Sequence, residues 1–92
     1  MAQQAPAPEV RKQMARKAEE LFASKIEPLV RGKAQSDYLL IDVNSGDFEV
    51  DADEMAAAQR LRSRQPEALV WMRRVGSPFG RRLGGRRARG GQ

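Results

Sequence analysis

The chain is 92 residues long, contains no cysteine and no histidine, and carries a net charge of +5 from 17 lysines and arginines against 12 acids. That length suits one small domain, and the missing thiols and imidazoles exclude disulfide staples, cysteine nucleophiles and the usual zinc sites. The charge is uneven: residues 1–72 hold 10 bases and 12 acids, whereas residues 73–92 hold seven arginines and no acid.

No stretch approaches the roughly 18 uninterrupted apolar residues of a membrane span, so the expectation is no membrane partner and a cytoplasmic protein. Residues 1–8 are rich in Ala, Gln and Pro, lack the basic and apolar regions of a signal peptide, and read as a disordered leader. Over residues 9–30, Val10, Met14, Ala18, Leu21, Phe22, Ile26 and Leu29 recur at helical spacing. They predict one amphipathic helix whose other side, with Arg11, Lys12, Arg16, Lys17, Glu19 and Glu20, faces solvent. Pro28 should bend or end it before Gly32.

Tyr38 to Val43 predicts a strand over 38–43, and Asn44-Ser45-Gly46-Asp47 a turn into a second strand over 48–50. Tyr38 and Leu40 point one way while Leu39, Ile41 and Val43 point the other, so both faces need cover. Asp51 and Glu54 resemble a capping box for a helix over 53–65, with a buried stripe of Met55, Ala58 and Leu61 beside Ala57 and a stop at Pro66. A last strand over 68–75 places Leu69, Trp71 and Val75 on one face, Val70 and Met72 on the other, and Arg73 and Arg74 on opposite sides. The order helix, strand, strand, helix, strand predicts an α+β fold with an antiparallel or mixed sheet of three to four strands ordered 2-1-3, since a right-handed crossover sets the third strand beside the first. The domain spans residues 9–86, with 87–92 a flexible basic tail.

Between Lys33 and Arg60 there are seven acids and no base. Counted from Asp42 as a calcium loop, Asn44 and Asp53 fall at ligand positions. Gly46 and Asp47, however, are in the reverse of the order the sharp turn needs, so no metal is expected. Without a histidine base or an activated serine no catalytic residue is assigned, and no cofactor is expected. The candidate anion-binding or nucleic-acid-binding residues are Arg73, Arg74, Arg81, Arg82, Arg86, Arg87 and Arg89, because guanidinium forks suit phosphates. Glycine-arginine segments contact RNA or DNA with little sequence preference. The same tail is also suited to an acidic protein surface.

Tyr38 to Asp51, Arg60 to Ala68, Trp71, Arg74-Val75-Gly76 and Leu83 to Arg86, with the helix ending Ile26-Glu27-Pro28-Leu29-Val30, resemble a family of small uncharacterised bacterial proteins. The resemblance implies that Gly76 to Arg86 belongs to the domain and that Phe79 to Leu83 forms a short strand; it implies no activity. The layout is also distantly similar to HicB-type antitoxins, which cover a toxin with such a core. The expectation is a non-catalytic interaction module that binds a partner protein, or a second copy as a homodimer, through its sheet and helix. Met14, Leu21, Phe22, Ile26 and Trp71 are the candidate contacts. The alternative is a nucleic-acid-binding protein that acts through its Arg/Gly tail.

Overall fold

The structure, a computed structural model, describes residues 8–83. Helix α1 (Pro8–Leu21) passes through a π-helical turn (Phe22–Ile26) into α2 (Glu27–Val30). Strands β1 (Tyr38–Asp42) and β2 (Phe48–Asp51), helix α3 (Glu54–Arg64), and strands β3 (Val70–Arg74) and β4 (Gly80–Arg82) complete the order. Of the predicted leader, Pro8 opens α1, where a missing N–H costs nothing. Residues 1–7 and the predicted tail over 87–92 lie outside the described residues.

The single predicted helix over 9–30 is interrupted at a position that Pro28 explains. Pro28 has no N–H for the carbonyl of Ser24, and its ring would press on that oxygen. Widening the preceding turn relieves both problems, and the Glu27 N–H bonds the Phe22 carbonyl five residues back. The wider turn shifts the helical phase of α2, so Val30 is buried, while Leu29, placed in the stripe from the sequence, is 64% exposed. Val10, at the other end of that stripe, is exposed too.

The four strands form an antiparallel sheet ordered β2-β1-β3-β4, the predicted 2-1-3 core with β4 added beside β3. The predicted strand over 68–75 is regular only across 70–74. Its flanks still bond the neighbouring chain, the Val43 N–H to the Leu69 carbonyl at 3.0 Å and the Val75 N–H to the Asp37 carbonyl at 2.9 Å.

Both sheet faces are covered, as the two apolar faces of β1 require. Leu39, Ile41, Val43 and Trp71 pack with Met14, Ala18, Ile26 and Val30; Leu40, Val70 and Met72 pack on the opposite face with Ala57 and Leu61. The helices are offset: α1 lies over β3 and β4, and α3 lies over β2 and β1.

The cap of α3 differs from the sequence reading. β2 stays extended through Asp51, so the N-cap falls on Asp53, whose Oδ1 accepts the Met55 N–H at 2.9 Å and the Ala56 N–H at 3.4 Å. Asp51 instead accepts the Asp53 N–H at 2.7 Å. The buried stripe is Ala57 and Leu61 with Ala58 beside them, and Met55 is 70% exposed. At about 100° per residue, Met55 lies roughly 120° around the helix from Leu61, off the face that meets the sheet.

Candidate protein-binding surface

The two edges of the sheet are treated differently, and the β1–β2 turn sets up the first. Asp42, 3% exposed, accepts the Asn44 N–H at 3.1 Å, the Ser45 hydroxyl at 2.7 Å and, across the sheet, the Leu69 N–H at 3.1 Å. Gly46 closes the turn at φ +82°, a left-handed conformation that glycine enters without steric cost, and Lys25 of the π turn donates to its carbonyl at 3.1 Å.

From there β2 runs with the main-chain groups of Asp47, Glu49 and Asp51 turned toward β1, as the 2.8 Å bond from the Asp42 N–H to the Asp47 carbonyl fixes. The carbonyls of Phe48 and Val50 therefore face outward. Arginines from α3 cover both: Arg64 donates to Phe48 O at 3.2 Å and Arg60 to Val50 O at 3.3 Å. The outward Phe48 N–H is bonded by the Asp47 carboxylate at 2.8 Å. The same guanidiniums pair with the acids of β2, Arg64 with Asp47 at 2.9 Å and Glu49 at 2.5 Å, Arg60 with Glu49 at 2.8 Å and Asp51 at 2.9 Å.

Three of the seven acids singled out in the sequence, Asp47, Glu49 and Asp51, thus form a salt-bridged strand edge. Exposed pairs contribute only about 0.2–1 kcal/mol each, so the stronger consequence is that β2 offers few main-chain partners to another strand. The Arg64 hydrogen bond, foremost among several, holds Asp47 below the usual carboxylate range. Burial raises Glu49, but hydrogen bonds from Arg60 and Arg64 outweigh it and leave it lowered. Asp51 is lowered by the Asp53 N–H and then by Arg60. Among the described residues no group of three acids could hold a metal ion.

The opposite edge is β4. The Leu83 N–H donates to the Val70 carbonyl at 2.9 Å, so Arg81 and Leu83 turn their main-chain groups toward β3 and alternation leaves those of Gly80 and Arg82 on the outer side. Among the described residues no strand lies beyond it. Gly80 is where it is because the Trp71 indole lies against it: a Cβ there would collide with Trp71 Nε1 and meet the Met72 carbonyl at 2.6 Å. That indole N–H is buried without a hydrogen-bond partner among the described residues.

α3 covers Leu40, Val70 and Met72, and beside it, toward Arg74 and β4, this side of the sheet is left as an open groove. Tyr38, Glu54, Met72, Arg74, Phe79 and Arg81 line one part of it, and Met55, Ala58, Arg62 and Leu83 another. Phe79, 85% exposed, borders the first part and Met55 the second, so each part has an exposed apolar residue at its margin. Arg74 stacks over the Tyr38 ring with its Cζ 4.3 Å from the centroid, and Arg81 reaches Glu54 only at 3.8 Å.

The arginines named from the sequence therefore separate. Arg74, Arg81 and Arg82 lie at the β3–β4 end of the sheet, whereas Arg86, Arg87 and Arg89 fall outside the described residues. Arg73 is on the α1 face, its side chain 5% exposed, where it contacts both Glu19 oxygens at 2.9 Å, donates to the Arg74 and Val75 carbonyls, and stacks on Phe22 with Cζ 3.9 Å from the centroid. Glu19, placed on the solvated side of α1 from the sequence, turns inward to meet it. Met14, Ile26 and Trp71 are core residues of the α1 face, with Leu21 and Phe22 packed against them.

Met55, Met72 and Leu83 were not surface candidates from the sequence, and Phe79 entered only as the start of the short strand over Phe79 to Leu83 that the resemblance implies, of which β4 covers Gly80–Arg82. The available signal was the phase of Met55 on its helix and a Phe between Pro78 and Gly80. None of the described helices is long and apolar enough to cross a membrane. No family model, curated protein or solved structure matches this chain.

Proposed function

We propose that this protein is a non-catalytic interaction module that binds a partner protein in the groove between α3 and the β3–β4 strip. The observation that carries this reading is that two exposed apolar residues, Phe79 and Met55, border a groove beside a sheet edge whose outer main-chain groups no described strand takes up. Residues such as these are where a buried contact gains most on association, and the other edge is covered by the protein's own arginines. The α1 face is closed by intramolecular packing, so Met14, Ile26 and Trp71 support the groove from behind the sheet. The regulatory, antitoxin-like form of the reading rests on the HicB layout and demands a partner whose activity is quenched at one-to-one stoichiometry.

The test is site-specific photocrosslinking of the full chain in its native cell extract, with the reactive group at Phe79 or, as control, at Arg11, after nuclease and in high salt. One protein crosslinked from position 79 and not from position 11 supports the reading. Nucleic acid as the only product, in a parallel low-salt sample without nuclease, would replace it with the competing function, in which the arginine-rich end is the binding element. Removal of residues 84–92 should leave the position-79 product in place, because β4 is retained.

A further inference from the structure

We infer that β4 is the docking edge for an acidic, extended segment of a partner protein, which adds to the sheet as a fifth strand. The inference rests on the protein-binding reading above and supplies the partner's chemistry. Strand addition needs unpaired main-chain groups along an edge and side-chain contacts on alternate residues. β4 supplies the first with the outward N–H and carbonyl groups of Gly80 and Arg82. It supplies the second on the α3 face, where Phe79, Met55 and Leu83 border the groove.

Charge selects the occupant. The three residues of β4 are Gly80, Arg81 and Arg82, and Arg74 lies beside them on β3; the acid in the groove is Glu54. A second copy paired antiparallel through the same edge about Arg81 or Arg82 would set that arginine against its own counterpart, and like charges across a strand pair are destabilising. A segment alternating apolar residues with carboxylates places the apolar side chains over Phe79 and Leu83 on the α3 face and its acids on the opposite face, beside Arg82, which shares that face with Trp71. The contrast with β2 supports the assignment: there the acids of the strand and the arginines of α3 already satisfy one another, whereas at β4 the arginines meet one acid at long range.

The test is a fluorescence-anisotropy titration of the full chain into a labelled peptide of about ten residues alternating valine and glutamate, a length that spans the edge. Two versions carry N-methyl groups on alternate amides, one set offset from the other by a single residue. In an added strand only one set faces β4, so one version should bind about tenfold or more weaker while the other stays within about twofold. On the protein side Arg82→Pro removes an outward donor without touching the β3 ladder, and Arg82→Thr controls for the charge. Arg82→Pro should lose binding at unchanged Trp71 emission, and Arg82→Thr should weaken it only a few-fold.

Equal effects of the two methylated sets would overturn strand addition while leaving the protein-binding reading intact. A dimer in sedimentation that Arg82→Pro abolishes would make a second copy the occupant and overturn the acidic partner. An oligothymidylate that displaces the peptide more effectively than unlabelled peptide does would overturn both readings. Absence of peptide binding at low salt overturns the inference, and the Phe79 crosslink then decides the broader reading by itself.

Discussion

Arg73 on β3 joins the sheet to α1 through Glu19, and removing one partner or the other should have unequal effects. In Glu19→Ala the guanidinium stays in place with its side chain 5% exposed and keeps only the Arg74 and Val75 carbonyls and the Phe22 ring. Loss of a charge-assisted hydrogen bond costs about 1.5–3 kcal/mol. Because the Glu19 side chain is 38% exposed, water can replace part of it. The expected loss is about 1–2 kcal/mol, roughly 5–15 °C in Tm for a domain of this size.

Arg73→Met removes the buried charge itself, fills similar volume against Phe22 and lets Glu19 return to solvent, so it should lie within about 1 kcal/mol of the parent. The double variant should match Arg73→Met, giving a coupling of about 1–2 kcal/mol. Urea unfolding followed by Trp71, the sole tryptophan and nearly buried, measures all four corners. If Arg73→Met is the costlier change by about 2 kcal/mol, or the coupling falls under about 0.5 kcal/mol, the asymmetry argument fails.

Three further outcomes are expected from the same contacts. Asp42→Ala orphans the Leu69 and Asn44 amides and should destabilise by about 2–4 kcal/mol, with faster hydrogen exchange at Leu69; an effect under about 0.5 kcal/mol would contradict the bonding described. Gly80→Val forces Trp71 or the β4 backbone to move, so Trp71 emission should shift to the red and β4 amides should lose exchange protection, while α3 keeps its own. Asp47, Glu49 and Asp51 have lowered pKa values in the fold, so their contribution is present above the unfolded value of about 4 and is lost as pH falls through the folded ones. Arg64→Met should therefore flatten the acid limb of the stability curve, and an unchanged limb in an acid-unfolding series would rule out the Arg64 pairing as its source.

Much of the architecture was legible in the sequence because it depends on local pattern. The alternation Leu39, Leu40, Ile41 demands two covered faces whatever covers them, Pro28 and Pro66 lack the donor a helix interior needs, and a helical crossover from β2 is compatible with β3 lying beside β1. The α3 cap was misplaced by two residues because Asp51 and Asp53 are chemically alike there, and only the length of β2 decides between them. The candidate site was legible in composition and not in position. Seven arginines from residue 73 onward marked that end of the chain as its most cationic part. Nothing local could say that Arg73 is buried against Glu19, 54 residues away, while its neighbour Arg74 faces the groove beside Tyr38. Nor could the pattern show that Arg60 and Arg64 cover one sheet edge and leave the other to β4, because which edge is open depends on where the helices rest. The offset of α1 and α3 across the sheet made that choice. Periodicity determines that a face is buried, and only the packing of elements distant in the chain determines which strand it lies against.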